Sequence, residues 1–432
     1  TGVQTCALPI CRTHKAKARI VVLGYMDPQI GDIPRDSPTL SRSSRMVILQ
    51  LIASHAWKLQ SFDIKAAFLQ GQPQENQLIA VDPVSELREA LNLSPNEITR
   101  LNKSAYGLID APYLWYCALV KELIRLGMEA CPFDPCVFVL REDSVIPHGN
   151  EPAPARKSPA QGAIVGVLGV HVDDGIGGGN EKFQQVLQKL EAKFAFGSKK
   201  TSAFTFTGID ITQHGDHSIS MSQSNYIRKI TPIPIDFQRK TQPNLTLNDK
   251  EKGHLRGLVG SLQYASTNTR PDLANRLSSL QSSINTGTIE TVMEANRLLH
   301  EAKRHHDVTI TIKAISHRDL RFMTFSDASF ASHNKPNSYA GSITVATHQD
   351  ISKNIECPIS PLMWGSKKIQ RVVTSTLSAE TASLASALDQ LSWLRLYWKW
   401  LHDPKTEWHK PEETLCKIEP AISVTTISQD SD

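Results

Sequence analysis

A buried-strand pattern that leads into two adjacent acids dominates the middle of this 432-residue chain. Residues 165–170 form an almost unbroken apolar run, which is typical of a strand buried on both faces. The run leads into Asp173, Asp174 and Gly175, and Asp-Gly is a strong signal for a hairpin turn. An ordinary turn explains these residues most simply. The alternative is a Mg²⁺ or Mn²⁺ site with a third acid from another strand, because charges beside an apolar strand need a neutralising cation.

The composition is that of an ordinary globular protein, with 40% hydrophobic and 21% charged residues, and the length predicts two or three domains. No apolar run approaches the roughly 20 residues of a membrane span, so no membrane partner is expected. Seven scattered cysteines, an odd number, argue against a disulfide framework and indicate a reducing compartment. A net charge of +4 permits a nucleic-acid partner without requiring one.

The first ten residues, TGVQTCALPI, are interpreted as an artefact. They fit nothing downstream and resemble the translation of a common sequencing adapter, with a short natural tail as the alternative. We therefore assign residues 1–14 to a non-native start and expect Thr1 to Ile10 to be disordered.

Two cations follow on a predicted strand. Lys17 and Arg19 lie two residues apart within Lys15–Tyr25, so on a strand they share one face. They could grip a phosphate, and a solvated strand edge explains them equally well.

The third acid is Asp63. An amphipathic helix is predicted over Ser44–Trp57, and a strand over Lys58–Phe68 follows it. On that strand Leu59, Ser61 and Asp63 face one way, with Asp63 at the carboxyl end.

The next part of the chain is predicted to change from mixed to helical structure. A helix begins near Pro112 and stops at Gly127, and residues 141–161 form a polar surface insertion. The further predicted elements are a helix over Glu181–Phe194, strands over Ala203–Ile211 and Ser218–Met221, a Pro-rich linker over Thr231–Asn248 and a helical block over His254–His306.

A second α/β unit is predicted from Val308. Its first strand, Leu320–Phe325, ends at Ser326-Asp327, and its helix, Ser378–Leu401, carries Glu380 in the first turn. Asp327 and Glu380 could meet at one metal site, although a Glu in a first turn is commonly there for the helix dipole. The other predicted strands of this unit are Ala340–Thr347 and Leu362–Thr374.

Several long motifs, in order, carry a family resemblance. KARIVVLGY, FDIKAAFLQG, LNKSAYGLIDAPYLWY and LGVHVDDGIGGG resemble the reverse transcriptase of copia-type long-terminal-repeat retrotransposons. LRGLVGSLQYASTNTRPDLA, FSDASFASHNKPNSYAGS and WGSKKIQRVVTSTLSAETASL resemble the connection and ribonuclease H region of the same polyprotein. The likeness extends from about Lys15 to about Asp403.

The resemblance implies an α+β fold, a right-hand polymerase followed by an α/β ribonuclease H-like domain. Fingers and a ferredoxin-like palm would occupy residues 15–230. The linker and a helical thumb or connection would occupy 231–307. The ribonuclease H-like domain would occupy 308–432 and be truncated at its C-terminus.

The resemblance also implies the site. Asp63, Asp173 and Asp174 match the catalytic carboxylates that hold two Mg²⁺ or Mn²⁺ ions for nucleotidyl transfer to a primer 3′-hydroxyl. Phe68 matches the aromatic residue that screens out a ribose 2′-hydroxyl, and Lys17 and Arg19 match the finger residues on the incoming triphosphate. The implied partners are an RNA template, a DNA or tRNA primer, the RNA–DNA hybrid and deoxynucleoside triphosphates. The implied locations are a virus-like particle in the cytoplasm and, for DNA delivery, the nucleus.

The motifs depart from the family pattern at three positions. His171 replaces the tyrosine of YVDD, which keeps a flat polar ring with different hydrogen bonding. Asp110 replaces a glutamine, and Leu23 stands where an arginine is common.

The ribonuclease H half matches less completely. Asp327 and Glu380 match its first two acids, while the next aspartate belongs to a later strand that the chain is expected to lack, so cleavage of a hybrid is not expected. The main rival to a polymerase is an inactive remnant that at most binds nucleic acid. An unrelated metal-dependent nuclease would leave KSAYGL and Phe68 unexplained.

Overall fold

The computed structural model describes residues 3–7, 18–27, 30–31, 33–71, 79–147, 161–332, 337–418 and 421–425. The chain divides into two compact units. The first unit comprises residues 1–41 and 61–199, and the second comprises residues 42–60 and 200–432. The predicted domain boundaries near residues 230 and 307 stay predictions.

The strands are β1 Val3–Ala7, β2 Ala18–Val22, β3 Gln60–Ile64, β4 Ile79–Val81, β5 Thr99–Leu101, β6 Glu129–Cys131, β7 Asp134–Arg141, β8 Ile164–His171, β9 Asp174–Gly179, β10 Phe196–Thr201, β11 Ala203–Phe206, β12 Ile209–Gln213, β13 Ile219–Ser222, β14 Ile310–Ile312, β15 Leu320–Ser332, β16 Asn337–His348, β17 Ile359–Lys368 and β18 Ile422–Thr425. The helices are α1 Arg42–Ser54, α2 Ser85–Leu91, α3 Ala111–Arg125, α4 Glu181–Lys193, α5 Ser224–Lys229, α6 Phe237–Lys240, α7 Asp249–Asn268, α8 Ala274–Ser282, α9 Ile289–Arg304, α10 Thr376–His402 and α11 Pro411–Lys417. Among the residues described, no helix combines the length and apolar character needed to cross a membrane.

The first unit is built around a six-stranded sheet in the order β10-β3-β9-β8-β7-β6. Strands β6 to β9 pair antiparallel in succession. The predicted buried strand is confirmed as β8, whose residues from Gly166 to Val170 are all buried. Helix α4 begins where predicted, because the Asn180 side chain accepts hydrogen bonds from the backbone N–H groups of Lys182 and Phe183.

The predicted disorder of Thr1 to Ile10 is wrong for Val3–Ala7. These residues form β1, which pairs antiparallel with β2 over five residue pairs. Residues 8–17, including Lys17, lie outside the described residues. The interpretation of the segment as an adapter artefact stays a prediction.

The predicted amphipathic helix differs in both position and burial. Helix α1 begins at Arg42, two residues before the predicted start, and every residue from Ser44 to Ala53 is buried. A helix buried on all sides shows no polar face, so amphipathic spacing was the wrong description. The strand predicted to continue to Phe68 also stops early, at Ile64, and residues 67–70 form a 3₁₀ turn.

Helix α3 follows the prediction closely. Pro112 lies at its first positions, where the missing N–H costs no hydrogen bond, and Gly127 follows its end with φ of +85°. Residues 148–160 of the predicted surface insertion lie outside the described residues.

The second unit contains a four-stranded sheet, β11-β12-β13-β14, and a helical cluster formed largely by α7, α8 and α9. The predicted linker, Thr231–Asn248, is not a free connection. Ile233 and Leu247 belong to the buried core of this cluster, and the Asn296 side chain hydrogen-bonds both backbone groups of Ile233 at 2.9 Å. The segment is therefore packed against α9.

A second sheet of this unit has the order β17-β16-β15-β18. Strand β15 continues to Ser332, so Asp327 lies within the strand and not at its end as predicted. Strand β18 follows α10 and pairs parallel with β15, with Ser326 opposite Thr425. The strand that the chain is expected to lack would come after about Ser428, so β18 does not test that expectation, which stays a prediction. Residues 426–432 lie outside the described residues.

Candidate functional site

The sheet of the first unit brings Asp63 beside the adjacent acids. Strand β3 lies next to β9, and the backbone N–H of Ile64 donates to the carbonyl oxygen of Asp173 at 2.9 Å. The residue after Asp63 is thus bonded directly to the hairpin that carries Asp173 and Asp174. Asp63 and Asp173 are 110 positions apart in sequence, and the hairpin turn that carries Asp173 lies beside the end of β3 that carries Asp63.

The hairpin turn does not lie where Asp-Gly predicts it. His171 pairs with Asp174, so the turn residues are Val172 and Asp173, and Gly175 is buried inside β9. Val172 has φ of +61°, while Asp173 has no positive φ. A positive φ is unfavourable for a β-branched side chain, so the turn that presents both acids is strained.

A buried tryptophan holds this turn. The indole Nε1–H of Trp115 donates to the carbonyl oxygen of Val172 at 2.8 Å, and Trp115 is only 1% exposed. Its ring makes an edge contact with Phe194, with the ring centroids 5.0 Å apart. The role of this tryptophan was missed because tyrosines flank it in α3 and its hydrogen-bond partner lies 57 residues further along the chain.

Gly175 is required by a close aromatic neighbour. A Cβ on Gly175 would lie within 3.0 Å of the Phe62 ring, and Phe62 stacks on Phe196 with centroids 4.3 Å apart. Because successive strand residues alternate between faces, Phe62 and Asp63 lie on opposite sides of β3. The aromatic pair therefore supports the sheet from one face and leaves the other face to the carboxylate.

The carboxylate of Asp63 is directed towards β10. The Ser198 hydroxyl donates to Asp63 Oδ1, and a Cβ on Gly197 would lie within 3.0 Å of Oδ2. Asp63 is half-buried and Asp173 is exposed. Ser198 and Gly197 were missed because their sequence, FGSKK, has no distinctive pattern.

The donor chemistry of these acids fits a hard divalent cation, because carboxylate oxygens are the ligands that Mg²⁺ and Mn²⁺ prefer. Within the described part of the chain, no group of three His, Cys, Asp or Glu residues is arranged to hold a metal ion, and the Asp63 carboxylate accepts the Ser198 hydroxyl. The sharing of ions by Asp63 and Asp173 stays a prediction.

Phe68 lies just beyond β3, in a 3₁₀ turn that starts after Ala66 (φ +51°). It is half-buried, contacts the ring of Tyr106 edge-on with centroids 5.4 Å apart, and packs against a small core that includes Leu108. Arg19 lies on β2, with its side chain outside what the structure describes.

The positions that depart from the family pattern lie close to these elements. His171 is the last residue of β8 and is half-buried. Asp110 is buried immediately before α3. Leu23 immediately follows β2, where the backbone N–H of Val22 donates to the carbonyl oxygen of Tyr106 at 2.7 Å.

The second unit also brings its two predicted acids together. The backbone N–H of Ala328 donates to Glu380 Oε1 at 3.2 Å, and the Ser383 hydroxyl donates to the carbonyl oxygen of Asp327 at 2.9 Å. Glu380 is 3% exposed, and its Oε2 has no hydrogen-bond partner among the residues described. Burial, and then the negative charge of Asp327, raises the pKa of Glu380.

The helix-dipole explanation for Glu380 is wrong. Helix α10 begins at Thr376, so Glu380 lies in its second turn, and the first turn carries no acid. The buried, partly unpaired carboxylate beside Asp327 is the arrangement that a cation would stabilise.

Comparison with known proteins shows a family match in the first part of the chain. Residues 8–146 match the family described as reverse transcriptase (RNA-dependent DNA polymerase). The chain is 26% identical over 396 residues to retrovirus-related Pol polyproteins from transposons RE2 and RE1 of Arabidopsis thaliana, covering 88% of this chain and 24% of each relative. It is 26% identical over 290 residues to that from transposon TNT 1-94 of Nicotiana tabacum, covering 61% and 20%. The chain thus spans about a quarter of the length of these curated relatives.

A solved structure shares the fold. The foamy viral protease-reverse transcriptase, determined in complex with an RNA/DNA hybrid, matches all of this chain and 50% of its own, with a TM-score of 0.50. At 13% sequence identity this likeness supports a polymerase fold of the reverse transcriptase type and nothing finer.

Proposed function

We propose that the chain, which matches a reverse transcriptase family over residues 8–146 and is similar to retrovirus-related Pol polyproteins of plant transposons, is an RNA-directed DNA polymerase. The observation that carries the proposal is the backbone hydrogen bond from the N–H of Ile64 to the carbonyl oxygen of Asp173. This bond joins the end of β3, which carries Asp63, to the hairpin that carries Asp173 and Asp174. A strained, buttressed turn that presents acids is typical of a functional site.

In the proposed reaction the three carboxylates hold two Mg²⁺ or Mn²⁺ ions. When bound, the ions lower the pKa of the primer 3′-hydroxyl and stabilise the leaving pyrophosphate. To hold an ion together with Asp173, the carboxylate of Asp63 would give up its hydrogen bond from Ser198. The chain itself contributes position and negative charge.

The proposed substrates are deoxynucleoside triphosphates, an RNA template and a DNA or tRNA primer. Phe68 would stand beside the sugar of the incoming nucleotide, with Tyr106 fixing the ring from the side. Lys17 and Arg19 would contact the triphosphate, as the resemblance implies, because cationic side chains suit an anionic chain of phosphates.

Primer extension on an RNA template, with Mg²⁺ and with Mn²⁺, tests the proposal. Asp63→Asn and Asp173→Asn should each lower the rate more than about 100-fold, since even outer partners of metal ligands are worth 10- to 100-fold. Glu191→Gln is the matched control, because Glu191 belongs to an exposed pair with Lys199 in the same unit. Equal rates in all four proteins would remove the proposed site.

The second candidate is an inactive remnant that binds nucleic acid without copying it. The observation that favours it is the lack of a three-ligand group within the described ranges, with Asp63 bonded to Ser198. A remnant would bind a primer–template duplex and add no nucleotide, whatever metal is supplied.

A further inference from the structure

The backbone around Asp173 is held on both sides. The carbonyl oxygen of Val172 belongs to the peptide that precedes Asp173, and it accepts the indole N–H of Trp115 at 2.8 Å. The carbonyl oxygen of Asp173 itself accepts the N–H of Ile64 at 2.9 Å. Together the two bonds fix both peptide planes that flank this acid.

The first of these bonds acts on a conformation that Val172 does not favour by itself. At φ of +61° its branched side chain is crowded against its own backbone, and the turn would relax if nothing opposed it. Trp115 can oppose it because the indole is buried and its ring is set against Phe194. To relax, the turn would have to break the hydrogen bond from this rigid donor to the carbonyl oxygen of Val172.

We propose that Trp115 is a positioning residue for the polymerase reaction, whose indole donor keeps the Val172 turn in the form that presents Asp173 and Asp174. This inference rests on the proposed function. Trp115 touches no substrate in this account and acts through the turn alone.

The first test is Trp115→Phe, which keeps an aromatic ring and removes the donor. We expect the extension rate constant to fall about 10- to 100-fold, because small misplacements of reacting groups cost rate on this scale. The KM for the nucleotide should change far less, since Trp115 lies behind the turn. Trp408→Phe is the matched control: it makes the same substitution at an exposed tryptophan of the second unit, so it should retain most of the rate.

A rescue separates positioning from general stability. Glycine adopts a positive φ without strain, so Val172→Gly removes the tendency of the turn to relax. The loss caused by Trp115→Phe should therefore be several-fold smaller in a Val172→Gly background than in the parent chain. A purely structural role of Trp115 predicts the same loss in both backgrounds and would overturn the proposal.

A sulfur isostere of Trp115 provides a second test in case the Trp115→Phe variant does not fold. Benzothienylalanine at position 115 keeps the shape of tryptophan and lacks the N–H, so it should lower the rate as Trp115→Phe does. An unchanged rate with this residue would overturn the inference while leaving the polymerase intact. If the unmodified chain extends no primer, the proposed function itself fails, so the two failures are distinguishable.

Discussion

The carboxylate of Asp63 has two neighbours on β10 that limit where it can point. Ser198 donates to one oxygen, and Gly197 leaves room for the other only because it has no side chain. The size of the residue at position 197 therefore limits the orientation of the Asp63 carboxylate.

Gly197→Ala should displace the Asp63 side chain, because the new methyl would lie within 3.0 Å of Oδ2. We expect primer extension to fall roughly tenfold or more. The free energy of unfolding should change little, because the displaced atoms belong to the end of a half-buried side chain. Gly215→Ala is the control, since a Cβ there would meet nothing within 4 Å. Primer-extension rates and chemical denaturation of both variants test this prediction. Equal extension rates for Gly197→Ala and Gly215→Ala would show that position 197 does not restrict the Asp63 carboxylate.

Phe68→Ala should let the enzyme accept ribonucleotides more readily, because the ring would no longer crowd a 2′-hydroxyl. We expect discrimination between deoxyribo- and ribonucleotides to fall by at least about tenfold, in the range of a steric change in a pocket. Phe68→Tyr keeps the ring and should keep the discrimination. Unchanged selectivity in the alanine variant, with a lower melting temperature, would make Phe68 a core residue only.

At the scale of elements, three chain segments of the second unit meet through histidine rings. His55, just after α1, stacks on His317 with centroids 4.4 Å apart, and its Nε2 lies 3.2 Å from Nε2 of His402 in α10. Burial, followed by the charges of His402 and His317, lowers the pKa of His55 to about 3. Arg318 and Asp319 are the charged groups that act on His317. His55 therefore packs as a neutral ring.

This cluster predicts a loss of stability in acid. The unfolded chain protonates His55 below its ordinary pKa of 6.5, whereas the folded chain resists until about pH 3, so stability falls as the pH drops through this window. His55→Phe keeps a stacked ring that cannot titrate and should flatten the dependence. Thermal unfolding between pH 7.5 and 4.5 measures it, with the exposed His300→Gln as control. A parallel pH profile for His55→Phe and the parent would contradict the role of His55.

Elements with a clear local pattern were predictable, and contacts between distant residues were not. Strand β8, helix α3 and helix α4 follow from apolar runs and capping residues. The turn was misplaced because Gly175 serves the packing of Phe62, which local turn preference does not register. Trp115 and Val172 are 57 residues apart, and Ser198 and Asp63 are 135 apart, so neither bond leaves a trace in a sequence window.

At the scale of the whole molecule, each compact unit carries its own group of acids. Asp63, Asp173 and Asp174 lie in the first unit, and Asp327 and Glu380 lie in the second. The family match ends at residue 146, before the adjacent aspartates, so the sheet contacts, and not that match, link Asp63 to the rest of its site. The resemblance seen in the motifs is confirmed, whereas the roles of individual residues stay proposals.

The second unit predicts that RNA in an RNA–DNA hybrid is not degraded. Asp327 and Glu380 are the two acids of this unit that match the ribonuclease H pattern, and residues 426–432 lie outside what the structure describes. Two carboxylates do not offset the charge or fill the oxygen shells of two ions. Gel analysis of a labelled hybrid with Mg²⁺ should show intact RNA. Cleavage that disappears in Asp327→Asn would contradict this prediction.

The most direct measurement follows one duplex through both binding and synthesis. A labelled DNA primer on a defined RNA template is titrated with the chain by fluorescence anisotropy, and the same duplex then receives four deoxynucleoside triphosphates with Mg²⁺ or Mn²⁺. We predict binding followed by synthesis of DNA complementary to the template, which sequencing of the product would confirm. Saturable binding with no nucleotide added in either metal would contradict it and leave the chain as a nucleic-acid-binding remnant.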